Sequence, residues 1–164
     1  MISIGVLSDT HIPARSDSIP HEVLCAFDNV DAIIHAGDIT TMNVVDTLTK
    51  IAPLHAVQGN MDEPGIKEKL PLKKVVEIGG KKIGVTHGAG SPFNIKKRVL
   101  KSFENDGVDC IVFGHTHKAE KFYKNNILVL NPGSVTDKVF SKTQSFAMIF
   151  INDDSTINAE IITI

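Results

Sequence analysis

Ile2-Ser3-Ile4-Gly5-Val6-Leu7-Ser8-Asp9-Thr10-His11 opens the chain with a short apolar run that stops on a polar cluster. A run this short, rich in β-branched residues, predicts a buried strand rather than a helix. The same unit then recurs along the chain. Ala32-Ile33-Ile34-His35 leads to Gly37-Asp38, and Leu54-His55-Ala56-Val57 leads to Gly59-Asn60. Lys82-Ile83-Gly84-Val85-Thr86 leads to His87-Gly88, and Cys110-Ile111-Val112-Phe113 to Gly114-His115-Thr116-His117. A last copy, Ile127-Leu128-Val129-Leu130, ends in Asn131-Pro132-Gly133-Ser134.

Helical spacing lies between several of these strands. Pro20 to about Asn29 carries Val23, Leu24 and Phe27, and Thr41 is placed to cap a helix that turns Val44, Val45 and Leu48 inward. Ser91 followed by Pro92 reads as an N-cap with proline in the first turn, opening a helix that buries Ile95, Val99, Leu100 and Phe103 and shows Lys96-Lys97-Arg98 to solvent. The second half changes character. Gly79-Gly80 and Asn125-Asn126 each separate two strand-like runs and predict hairpins; two further strands, Ser145 to Ile151 and Thr156 to Ile164, meet at Asp153-Asp154. Alternating βα units followed by hairpins predict an α/β sandwich of mixed sheets covered by helices.

A chain of 164 residues fits one domain, taken here as 1–164, and is long enough to bury a real core. Lys+Arg 17 against Asp+Glu 19 leaves a net charge of -2, so nucleic acid is not indicated as a partner. Tryptophan is absent and aromatics are 5%, which argues against a base-stacking platform. No apolar run approaches the ~18 residues of a membrane span, and the N-terminus has no basic leader region. Cys25 and Cys110 sit singly in apolar stretches and are expected as small buried hydrophobes. These features predict a soluble, cytoplasmic protein, and they are compatible with a homo-oligomer.

The chemistry sits at the strand ends. In open α/β sheets, ligand sites form beyond the carboxyl ends of parallel strands. Five such ends here deliver Asp9 and His11, Asp38, Asn60, His87, and the pair His115 and His117. Residues two apart on an extended segment point to the same side, which suits both Asp9 with His11 and His115 with His117. Carboxylate, amide and imidazole donors without thiolate suit borderline divalent ions. Seven donors exceed the needs of one tetrahedral ion, and a shared carboxylate holds two ions about 3.5–4 Å apart. Taken singly, Gly37-Asp38 and Gly59-Asn60 read as turns, and Asp9-Thr10-His11 as a strand end with a cap. Their joint occurrence is what favours a metal site.

Asp9-Thr10-His11, Gly37-Asp38, Gly59-Asn60, His87-Gly88 and Gly114-His115-Thr116-His117, in that order, resemble the calcineurin-like metallophosphoesterase superfamily. The resemblance runs from Ser8 to about Ser134, and Asn131-Pro132-Gly133-Ser134 is similar to its small phosphodiesterase branch, as well as to the retromer sorting subunit that uses this fold as a scaffold. It implies a four-layer α/β/β/α sandwich of two mixed β-sheets flanked by helices. It also implies a first ion on Asp9, His11, Asp38 and His117, and a second on Asp38, Asn60, His87 and His115, with Asp38 bridging. Manganese is the first candidate, with nickel, zinc and iron behind it. A metal-bridging hydroxide would attack a small phosphate-ester substrate in line, with Asp38, Asn60 and His117 nearest the chemistry. The alternatives within the resemblance are a phosphomonoester or nucleotide phosphatase and a non-catalytic scaffold.

Two positions depart from the family pattern. Met61 follows Gly59-Asn60 where many members carry a histidine that helps protonate the leaving group, which weakens the monoesterase reading. Thr136, Asp137 and Lys138 follow the Pro-Gly-Ser turn where small relatives carry an arginine, so no bidentate phosphate clamp is expected there. Asp62 is expected to orient a neighbouring ligand. Arg15, in the loop after His11, reads as a solvated loop charge, with contact to an anionic substrate as the alternative; His35 reads as a satisfied core histidine, with support of a ligand as the alternative; His21 reads as exposed and His55 as an ordinary strand residue.

Overall fold

The structure, a computed structural model, describes residues 1–164. In chain order its strands are β1 (Ile2–Leu7), β2 (Ala32–His35), β3 (Leu54–Ala56), β4 (Lys73–Ile78), β5 (Lys81–Thr86), β6 (Cys110–Val112), β7 (Glu120–Lys124), β8 (Ile127–Asn131), β9 (Ser145–Ile151) and β10 (Ile157–Thr163). The helices are α1 (His21–Phe27), α2 (Met42–Thr49), α3 (Pro64–Lys69) and α4 (Ile95–Ser102). One sheet runs β10-β9-β1-β2-β3 and the other β4-β5-β6-β8-β7. β1, β2 and β3 are parallel to one another, as are β5, β6 and β8, while the remaining pairings are antiparallel. Both sheets are therefore mixed, with a parallel centre.

Side-chain alternation assigns the layers. Ile34, Val112 and Leu130 point into the core between the sheets, where Ile4, Val6, Val85 and Ile149 from both sheets meet them. Their neighbours Ile33, Ile111 and Val129 point outward. Ile33, with Leu7 and Phe146, packs under Val23 and Phe27 of α1, Val44 and Leu48 of α2, and Ile66 of α3. Ile111, with Phe113, packs under Ile95 and Val99 of α4. The result is the α/β/β/α sandwich that the family resemblance implies. With 7, 8, 6 and 8 residues, the helices are shorter than the ~12–15 that persist alone in water. Burial holds them instead, at about 1.5–3 kcal/mol for each fully buried large apolar side chain.

Both hairpins form as expected: Gly79 and Gly80 have φ of 57° and 73°, Asn125 and Asn126 of 51° and 64°. These are the left-handed pairs that a two-residue turn between twisted strands demands. Four expectations need correction. Cys25 is exposed, because Val23 and Phe27 occupy the buried face of α1 and position 25 falls on the other side. α4 begins at Ile95 and not at Pro92: Ser91 Oγ does accept from the Phe93 N–H, but Asn94 takes a left-handed φ of 60° and breaks the turn. Arg98 does not face solvent freely; it donates to the carbonyls of Phe93, Ala89 and Ser91. The Thr41 hydroxyl donates to the Ile12 carbonyl and does not cap α2.

Candidate metal centre

Because β1, β2 and β3 are parallel, their C-terminal loops leave one edge of their sheet together. β5 and β6 do the same in the second sheet. Asp9 N–H donates to the Gly37 carbonyl at 3.0 Å and His11 N–H to the Asp38 carbonyl at 3.1 Å, joining the β1 and β2 loops. Across the sheets, His115 N–H reaches the Asp9 carboxylate (Oδ2) at 3.0 Å. Close approach explains two glycines. A Cβ on Gly59 would run into the backbone and carboxylate of Asp38, and one on Gly114 into Ser8 Oγ and Asp9 Oδ2.

Asn131-Pro132-Gly133-Ser134, expected as a turn, buttresses this edge. Ser134 Oγ donates to the Asp9 carbonyl at 2.7 Å, and Asn131 Nδ2 to the Gly114 carbonyl at 3.0 Å. Five candidate ligands, Asp9, His11, Asp38, His115 and His117, take φ between 44° and 70°. Left-handed backbone on non-glycine residues costs roughly 1 kcal/mol or more each, and the loop hydrogen bonds offset it.

The side chains converge. Asp9 Oδ1 lies 3.2 Å from His117 Nε2 and 3.8 Å from both His11 Nε2 and His87 Nε2. Asp38 Oδ2 sits between the two halves, 3.6 Å from His11 Nε2 and 3.2 Å from His87 Nε2. Asn60 Oδ1 faces His87 Nε2 and His115 Nδ1, each at 3.1 Å. All seven sequence-predicted residues thus share one cluster. Within it, Asp9, His11 and His117, and likewise Asp9, Asp38 and His87, each place one donor atom apiece within 4.8 Å of one another.

Ring orientation decides what this cluster can hold. The His87 Nδ1–H donates to the Ala36 carbonyl at 2.7 Å, the His117 Nδ1–H to Asp137 Oδ2 at 2.5 Å, and the His115 Nε2–H to the Gly90 carbonyl at 2.6 Å. Carbonyl and carboxylate oxygens only accept, so each ring spends its N–H outside and turns its other nitrogen inward. His11 Nε2 and His117 Nε2 face each other at 3.1 Å. Asp9 Oδ1 is fully buried and has no hydrogen-bond partner. Lone pairs aimed at lone pairs in a buried site repel unless positive charge lies among them, either as protons or as metal ions. The donor set fits divalent cations.

The electrostatics likewise favour positive charge at this site. Burial by itself would raise the Asp9 carboxyl, but the imidazoles of His11, His117 and His87 hold it well below the usual carboxylate range. Burial would lower His87, yet the carboxylates of Asp38 and Asp9 push it up to about 9. His35 is different: fully buried behind the site, with only the Thr10 hydroxyl at 3.1 Å, it is driven down to about 3 by burial.

Neighbouring residues also depart from expectation. Asp62 hydrogen-bonds to no ligand side chain; it accepts from Gly59 N–H at 2.7 Å and Thr40 N–H at 2.6 Å, locking the β2 and β3 loops together. Met61 supplies its backbone N–H to Asp38 Oδ1 at 2.7 Å, and the residue is 60% exposed. Arg15 is not a free loop charge, since its Nη1 donates to Asp137 Oδ1 at 3.0 Å. Asp137, which orients His117, is not among the residues the sequence singles out as ligand-orienting; a carboxylate just after the Pro-Gly-Ser turn is the signal that could have found it. A cavity of about 830 Å3 opens over the cluster, lined by His11, Asp38, Asn60, His115 and His117.

Known proteins resemble this chain over nearly its whole length. A probable metallophosphoesterase of Methanothermobacter thermautotrophicus is 38% identical over 160 residues, covering 97% of this chain and 91% of that one. The crystal structure of wild-type Vps29 from Entamoeba histolytica, complexed with zinc, matches at a TM-score of 0.79 and 28% identity, over 99% of both chains. The solution structure of a Thermotoga maritima protein matches at 0.76 and 34% identity, over 100% of each. Residues 2–154 match the family model of the calcineurin-like phosphoesterase superfamily domain, a span that takes in every donor loop and every strand but β10. By that match and by its curated relative, the chain belongs to the calcineurin-like phosphoesterase superfamily.

Proposed function

We propose that this chain is a phosphodiesterase that works with two divalent metal ions, manganese foremost, on small or activated phosphodiesters. The observation that carries the reading is the buried convergence of acceptor atoms around Asp9 Oδ1 and Asp38 Oδ2. Asp9, His11, Asp38 and His117 would hold one ion, and Asp38, Asn60, His87 and His115 the other. When bound, such ions supply Lewis acidity, which makes water a nucleophile at neutral pH and offsets charge on phosphoryl oxygens. Zinc in the Entamoeba relative supports an ion of this borderline class.

Two of the chain's own groups support this substrate class. With its Oδ1 turned to His87 and His115, Asn60 has its Nδ2 donors left for a phosphoryl oxygen. Beside it in the cavity stands Met61, which donates no proton to a departing alkoxide. Diesters with a good leaving group, such as aryl esters, need no such acid, and this favours them over esters with poor alkyl leaving groups. A scaffold role would gain support from a lost donor, and all seven positions carry one. Cys25 and Cys110, both free, suit a reducing compartment such as the cytoplasm.

Protein stripped with a chelator should lose, and on reloading with manganese regain, hydrolysis of an aryl phosphodiester, at a rate above that for the matching monoester. No recovery with manganese, nickel, zinc or iron would remove the enzymatic reading. Faster monoester turnover would replace it with the phosphatase alternative.

A further inference from the structure

Arg15 lies on the loop between β1 and α1, and its backbone N–H donates to the His11 carbonyl at 2.8 Å, so its position is tied to a candidate ligand. Its side chain ends on Asp137, whose carboxylate is fully buried. Asp137 has little freedom to turn. Oδ1 accepts from Arg15 and from the backbone N–H groups of Val139 and Phe140 at 2.8 and 3.1 Å, while Oδ2 accepts from His117. The guanidinium carbon also sits 5.2 Å from the centre of the Phe140 ring. Two partners thus hold the head of Arg15 in place, yet only one of its five N–H donors is paired within the protein. The side chain is 27% exposed and lines the same cavity as His11, Asp38, Asn60 and His117.

An ion pair with a buried partner gives up hydration about as fast as it gains attraction, so stability is a weak reason to build this arrangement. A fixed planar cation with unspent donors beside a metal cluster is what phosphoryl recognition uses. We propose that Arg15 binds the phosphoryl group of the substrate, holding a non-bridging oxygen, and that Asp137 positions it there. The proposal rests on the phosphodiester reading for the nature of the substrate. Asp137 then has two tasks in one carboxylate: one oxygen orients a ligand and the other aims the substrate-binding cation.

The test is a calorimetric titration of inorganic phosphate into manganese-loaded protein, with the manganese content of every sample measured. Wild type, Arg15→Ala, Arg15→Lys and the surface control Lys97→Ala are compared. Both Arg15 variants should bind phosphate about tenfold or more weakly, with unchanged manganese content and KM for an aryl diester raised more than kcat is lowered. Arg15→Lys keeps the charge opposite Asp137, so it guards against a folding defect; it should not restore affinity, because a lysine lacks the planar fork. Lys97→Ala should match wild type. The proposal is overturned if wild type binds no phosphate, if both Arg15 variants bind within about twofold of it, or if their loss follows lost manganese. Absence of diester turnover in wild type would sink the hydrolase reading alone, since the titration does not depend on turnover.

Discussion

Asp137 Oδ2 lies 2.5 Å from His117 Nδ1, across 20 residues of chain. This contact fixes the tautomer of His117 and so leaves Nε2, 3.2 Å from Asp9 Oδ1, bare for a cation. Asp137→Asn keeps the shape and removes the charge, so manganese affinity should fall about 10–100-fold. Competition against a fluorescent chelator measures this directly. An unchanged affinity would show that the contact plays no part in holding metal.

Asp38 Oδ2, like Asp9 Oδ1, faces a histidine from each half of the cluster. Asp38→Asn should retain the fold, because Met61 N–H still finds an oxygen at that position. Diester turnover should drop at least about 100-fold. A variant that melts like wild type and still turns over at full rate would place the activity outside this site.

Burial holds His35 at about 3, below its ordinary value of 6.5. The unfolded chain therefore takes up this proton first, so the neutral ring stabilises the fold above the unfolded pKa and that contribution is lost as pH falls from 6.5 toward 3. His35→Gln should be less stable than wild type at neutral pH and should flatten the acid side of the profile. One proton accounts for a slope of at most about 1.4 kcal/mol per pH unit. Urea unfolding at a series of pH values reads the difference, and parallel profiles would contradict it.

Two glycines make a matched pair. Gly114→Ala forces a Cβ onto Ser8 and Asp9, and should cost about 1–3 kcal/mol and weaken metal binding. Gly65, in α3, has nothing within 4 Å of the place a methyl group would take, so Gly65→Ala should be neutral or should stabilise by up to about 1 kcal/mol. Denaturant midpoints for both variants check the contrast.

Met61 lines the cavity next to Asn60. Met61→His adds a proton donor there, and turnover of diesters with poor alkyl leaving groups should rise, by about tenfold or more if the ring is well placed. Aryl diesters should change little. Equal effects on both classes would argue against a leaving-group role at this position.

Much of this protein was legible in its residue order. Strand-length runs such as Ile2 to Leu7 and Cys110 to Val112 announce themselves because buried strands need β-branched residues in short blocks, and Gly79-Gly80 and Asn125-Asn126 because few residues tolerate paired left-handed angles. The seven donors were legible because each closes such a run. α3 was not: Pro64 to Lys69 contains one apolar residue, Ile66, too few to show a period.

What only the tertiary structure decided depends on contacts between distant parts of the chain. Nothing local pairs Arg15 with Asp137, 122 residues away, or tells Cys25 from Cys110 as the exposed thiol. The inward-facing nitrogens of His87, His115 and His117 follow from backbone and carboxylate acceptors brought by other segments. Residue order determined which groups are present at the strand ends. Folding determined which atom of each group faces the others, because a ring shows its lone pair only after a neighbour has taken its proton.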